Sequence, residues 1–126
     1  MNPLRRKPTD AELGILRVLW ARGPSTVRQV TERIGHDTGY TTVLKLLQIM
    51  TEKRLVTRDE SARTHIYAAA STQEQTERQI VSDLVDRVFN GSAAKLVLQA
   101  LATTKASPEE LDEIRKLIAT KTGGSR

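Results

Sequence analysis

The sequence predicts a mainly α protein. An N-terminal winged helix-turn-helix, three helices plus a β-hairpin wing, occupies residues 1–70, and a helical dimerisation domain occupies residues 71–126. Three observations predict this. Helix start and stop signals recur along the chain. One β-branched and aromatic stretch after Leu55 breaks the helical pattern. Beyond Ser71 the apolar helix faces are wider than one-sided packing requires.

The first helix opens at Thr9-Asp10-Ala11-Glu12, where Thr9 and Glu12 form a capping box, and Leu13, Leu16, Leu19 and Trp20 recur at helical spacing behind it. Gly23-Pro24 ends it. Ser25 is the predicted cap of a second helix, with Val27, Val30 and Ile34 facing inward and Gly35 closing it. After a turn at His36-Asp37-Thr38-Gly39, Tyr40-Thr41-Thr42 starts a third helix that runs to about Lys53. Val56-Thr57-Arg58 and His65-Ile66-Tyr67 then read as the strands of a hairpin, with Asp59 to Thr64 as its polar tip.

From Ser71 the chain is helical again. Ser71 with Glu74 is a second predicted capping box, and Asn90-Gly91 stops the helix it starts. Ile80, Val81, Leu84, Val85, Val88 and Phe89 cover about half of that helix's circumference. Leu96, Val97, Leu98, Ala100 and Leu101 form a short segment that is apolar on most sides. Ser107-Pro108-Glu109-Glu110 starts a last helix carrying Leu111, Ile114, Leu117 and Ile118, and Thr122 to Arg126 reads as a frayed tail. Some fifty residues cannot bury so much apolar face within one chain. A second copy is the expected partner, the alternative being that these helices fold back on the N-terminal domain.

Composition bounds the function. The chain has 126 residues, 38% of them hydrophobic and 28% charged, and no apolar run approaches the length of a membrane span. The N-terminus lacks the hydrophobic core of a signal peptide, so a cytoplasmic location is expected. There is no cysteine, which removes disulfides, thiolate metal sites and thiol catalysis. The four aromatics Trp20, Tyr40, Tyr67 and Phe89 are too few for a sheet that stacks bases. Residues 1–70 hold 12 Lys+Arg against 7 Asp+Glu, while residues 71–126 hold 8 of each, so the whole excess charge lies in the first half. A basic half joined to a neutral half points to one part that meets a polyanion.

The third helix has the residues of a reading head. With Thr41 at zero on a helical wheel, Lys45, Gln48 and Glu52 fall within about 40°, while Val43, Leu46, Leu47 and Met50 fall opposite. Lys suits guanine O6/N7 in a major groove, Gln suits adenine N6/N7, and Thr suits base or phosphate. Leu44, on the shoulder of that face, is placed to touch a thymine methyl. Phosphate contacts are expected from Thr26 and Arg28 at the start of the second helix, and from Tyr40 and Thr42 beside the reading face. Arg58 and Arg63 on the hairpin are further candidates. So are Lys53 and Arg54, which equally complement a helix dipole. The Arg5-Arg6-Lys7 run reads as a flexible arm.

Several strings in order resemble the penicillinase repressor (BlaI/MecI-type) family of winged-helix transcriptional repressors. They are Pro8-Thr9-Asp10-Ala11-Glu12-Leu13 with Leu19-Trp20, Tyr40-Thr41-Thr42-Val43, Lys53-Arg54-Leu55-Val56 and Phe89-Asn90-Gly91-Ser92. The resemblance runs from about Pro8 to Lys121. It implies a bacterial repressor that binds a palindromic operator as a homodimer, joined through its C-terminal helices. It also implies a membrane-bound sensor protease, or a protease downstream of one, that releases repression by cleaving an Asn-Phe bond. The matching position here is Gln99-Ala100, which departs from that pair. A copper-responsive branch with a cysteine-rich motif is excluded by the lack of cysteine.

No enzyme, cofactor or metal is expected. His36 and His65 have no nucleophile at a useful spacing. The carboxylates Asp83 and Asp86, and those from Glu109 to Glu113, lie on solvated faces or in first turns. The alternative classes are a winged-helix protein-interaction module and a small-molecule-responsive regulator.

Overall fold

The computed structural model describes residues 7–35 and 37–124. The order is α1 (Asp10–Arg22), α2 (Val27–Ile34), α3 (Tyr40–Glu52), β1 (Val56–Asp59), β2 (Ile66–Ala69), α4 (Gln73–Arg87), α5 (Ala93–Thr103) and α6 (Pro108–Gly124). This is the mainly α winged-helix architecture that the sequence predicts. The expected arm at Arg5-Arg6 and the turn residue His36 lie outside the described residues, as do Ser125 and Arg126.

The capping chemistry holds at α1, where the Glu12 amide donates to Thr9 Oγ1 at 3.2 Å and the Thr9 amide donates to Glu12 Oε1 at 2.9 Å. Two caps sit one residue later than predicted. At α2 the box is Thr26 with Gln29, not Ser25. Ser25 is held elsewhere: its amide and carbonyl pair with Tyr67 at 2.9 and 2.8 Å, and its hydroxyl donates to the Gly23 carbonyl. At α4 the box is Thr72 with Gln75, not Ser71 with Glu74. Here the Trp20 indole donates to the Ser71 carbonyl at 2.9 Å, which keeps Ser71 in the preceding turn.

The hairpin is antiparallel, with Val56 opposite Ala69 and Arg58 opposite Tyr67. It is also shifted from expectation: Asp59 belongs to β1, while His65 precedes β2, which runs on through Ala68 and Ala69. The Ser25–Tyr67 bridge draws β2 against the α1–α2 turn, so the wing is tied to the helices at its base.

The core is Ile15, Leu16, Leu19, Val27, Val30, Val43, Leu47, Met50, Val56 and Tyr67. Each such side chain contributes about 1.5–3 kcal/mol on leaving water. On α1 the buried face centres on Ile15 and Leu16, and the predicted core residues Leu13 and Trp20 are only half-buried.

Contacts divide the chain into one unit up to Asp83 and another from Leu84, so the division falls inside α4. From Ser71 to Thr122 no residue is buried. The expected frayed tail is instead helical to Gly124, its last turns supported by the Thr120 and Thr122 hydroxyls, which donate to the Lys116 and Ile118 carbonyls. Among the described residues no helix is long and apolar enough to cross a membrane.

Candidate nucleic-acid interface

Residues from α2, α3 and the wing line one groove. Thr26 and Arg28 enter from the start of α2, Tyr40 and Leu44 from α3, and Arg63 from the hairpin. Thr64, His65 and Tyr67 complete its wing side. Five side chains singled out from sequence are thereby brought together. A long-range contact helps to bring them there: the Ser25–Tyr67 bridge holds the start of α2 beside the end of the wing. The Thr26 hydroxyl oxygen accepts from the Gln29 amide, which leaves its own proton to donate outward.

Along α3, Tyr40, Thr41, Thr42, Lys45, Gln48, Ile49 and Glu52 are exposed, and Val43, Leu47 and Met50 are buried. The exposed face thus carries the predicted hydroxyl, ammonium and amide in a line. Unlike α1 and α2, α3 has a glycine, Gly39, at its N-cap and so no side-chain cap on its first amides.

Other predicted contacts are placed differently. Leu44 was expected to have no core to fill, yet it is half-buried and packs against the core while also lining the groove. It lies on the flank of α3, about 60° from Thr41. Lys53 turns inward: its Nζ lies 2.7 Å from Glu12 Oε1, and the Glu12 side chain is 3% exposed. Arg54 lines a separate cavity of about 170 Å³ with Lys7, Leu55, Gln79 and Asp83. Arg54 also has a left-handed backbone, φ 65°, which closes the tight turn after α3.

Arg58 is held on the wing. Its guanidinium lies above its usual range, first through a hydrogen bond with the Tyr67 side chain and then through Glu60, whose Oε2 accepts from Arg58 Nε at 2.7 Å. The Asp59 carboxyl is lowered because it accepts from the backbone and hydroxyl of Ser61, a turn that shapes the wing tip. Among the described residues no group of His, Asp and Glu could hold a metal ion.

Sequence reasoning missed three things here. The Glu12–Lys53 pair spans 41 residues, and no local pattern shows it. Thr64 and His65 were readable only as turn and strand, though they follow Arg63 directly and line the same groove. On the wheel Ile49 is an apolar residue beside Lys45, and its exposure is a finding of the structure.

The candidate dimerisation residues are largely exposed in the single chain. Val81 is 44%, Val88 63%, Leu98 66%, Leu117 58% and Ile118 57% exposed, and Leu84 and Leu101 are also exposed. Ile80, Val85, Phe89, Leu96, Leu111 and Ile114 are half-buried. Gln99 and Ala100 are exposed within α5.

A family model described as Penicillinase repressor matches residues 8–120. A relative named Transcriptional regulator BlaI, from Mycobacterium tuberculosis, is 28% identical over 113 residues, covering 87% of this chain and 81% of the relative. A Penicillinase repressor from Bacillus licheniformis is 20% identical over 112 residues, covering 87% of this chain and 88% of its own length. Among solved structures, a transcriptional regulator from Thermotoga maritima is similar in fold. Its TM-score is 0.50 at 19% identity, over 94% of this chain and 80% of that one.

Proposed function

The chain belongs to the penicillinase repressor family of transcriptional regulators, and from that premise we propose that it binds a palindromic operator as a homodimer. In this reading α3 reads base edges with Thr41, Lys45 and Gln48. Thr26, Arg28, Tyr40, Thr42 and Arg63 meet the phosphates on either side, and Arg58 joins them when a phosphate displaces Glu60. Arg54 is a weaker candidate, and Lys53 supports the fold rather than the DNA.

The observation that carries the reading is the groove that gathers Thr26, Arg28, Tyr40 and Arg63 beside the polar face of α3. Homodimerisation is supported by the exposed apolar faces of α4, α5 and α6. Release by a protease at Gln99-Ala100 belongs to the same proposal, with a membrane-bound sensor protease or its downstream partner as the agent. The small-molecule-responsive alternative has one observation in its favour, the cavity beside Arg54.

The test is quantitative. Lys45→Ala or Gln48→Ala is expected to cost about 1–3 kcal/mol at particular base pairs and to relax preference there. Arg28→Ala or Arg63→Ala is expected to weaken binding to all duplexes alike and to reduce the salt slope by about one. Titrations of operator variants at several salt concentrations measure both. If Lys45→Ala leaves the ranking of variants unchanged, α3 is not the reading head. A protein-interaction module built on the apolar helices would show no steep salt response.

A further inference from the structure

We propose that Ile49 is a specificity-determining residue that reads the C5 methyl group of a thymine in the major groove. The inference rests on the DNA-binding reading above and adds a base contact to it.

The remaining aliphatic side chains of α3 pack into or against the core, and Leu44 alone of them also lines the groove. Val43 and Leu47 are buried, and Leu44 and Leu46 are half-buried against the core. Ile49 is 37% exposed. A single exposed aliphatic residue means little by itself; its position on the helix is what matters. With Thr41 at zero, Val43, Leu47 and Met50 lie at about 200°, 240° and 180°, so the outward face centres near about 25°. Ile49 lies at about 80° and Gln48 at about −20°, so the two flank that centre at similar angles. A duplex centred on that face has Ile49 about 55° from its centre, on the flank opposite the groove residues Tyr40 and Leu44.

A major groove offers Ile49 one apolar group, the thymine methyl; the other base-edge groups there are donors and acceptors. Leu44 lies about 85° from that centre, against about 55° for Ile49, and so is the less central of the two. Ile49 stands one turn beyond Lys45, a rise of about 6 Å. That is under two base-pair steps of about 3.4 Å. The thymine therefore lies within about two base pairs of the pair that Lys45 reads.

The test uses the full-length chain and an operator selected from random duplexes. Each thymine is replaced singly by uracil, which lacks the methyl and keeps every hydrogen-bonding group. At one thymine in each half-site, within about two base pairs of the position that Lys45→Ala relaxes, uracil is expected to weaken binding about four-fold. Ile49→Ala should bind the thymine and uracil duplexes equally at that position. Ile49→Val should retain part of the preference. Thermal melting of both variants confirms that the fold is kept. Uracil tolerated at every position, or a uracil penalty that survives Ile49→Ala, overturns the inference and leaves the DNA-binding reading standing. Failure to select any sequence overturns both.

Discussion

Replacing Lys53 by alanine is expected to lower the stability of the winged helix by about 3 kcal/mol while leaving the salt dependence of DNA binding unchanged. The Glu12 carboxylate sits at the start of α1 with its side chain 3% exposed, and Oε1 accepts from both the Thr9 amide and Lys53 Nζ. Without the ammonium, a nearly buried carboxylate keeps one amide donor and loses its countercharge. Truncating one partner of such a pair costs about 3–5 kcal/mol. The lower end applies because the Lys53 side chain is 23% exposed and water can reach part of the site. In a domain of this size the change lowers Tm by about 12–24 °C. Glu12→Gln combined with Lys53→Met should recover most of the loss, since it removes both charges. Thermal melting and a salt titration separate this role from a phosphate contact. An unchanged Tm with a salt slope reduced by about one would return Lys53 to the DNA face.

That residue shows where the sequence was legible and where it was not. Helix periodicity located the three N-terminal and the three C-terminal helices, because an apolar face repeats every 3.6 residues whatever it packs against, and the β-branched and aromatic stretch after Leu55 located the wing. Tertiary partners decided the details. Lys53 reads as a surface cation at a helix end, and only the return of α1 beside it supplies Glu12. Ser25 is as good a cap as Thr26 by residue type; the Tyr67 backbone, 42 positions away by sequence number, takes Ser25 out of contention. Ser71 loses its capping role in the same way to the Trp20 indole. Leu44 looks unsupported on the wheel because the tertiary packing that half-buries it is invisible there. The polar face of α3 was readable in full, since exposure of Thr41, Lys45 and Gln48 follows from the burial of Val43, Leu47 and Met50 opposite.

A chain ending at Gln99 is expected to lose specific operator binding at physiological salt. The truncation removes Leu101, which is 40% exposed, and all of α6 with Leu117 and Ile118, 58% and 57% exposed. In the proposed dimer those faces are covered by the second copy, and their loss leaves α4 and the start of α5 to hold the two chains together. Dimerisation matters because the second reading head then binds at high effective concentration, a gain of about 10²–10⁴ in affinity without any new DNA contact. Half-site centres lie about one helical turn, or a multiple of it, apart, so two monomers that drift independently forfeit that gain. A protease acting at Gln99-Ala100 would have the same effect. It would first have to open α5, because the bond lies inside that helix and the Gln99 carbonyl accepts from the Thr103 hydroxyl at 2.8 Å. Sedimentation at micromolar concentration should find the intact chain dimeric and the truncated chain monomeric. A titration of both onto one palindromic operator should separate them by at least about a hundred-fold. Equal affinities would show that α6 is dispensable, and that release of repression must act on some part of the chain other than the apolar faces beyond Gln99.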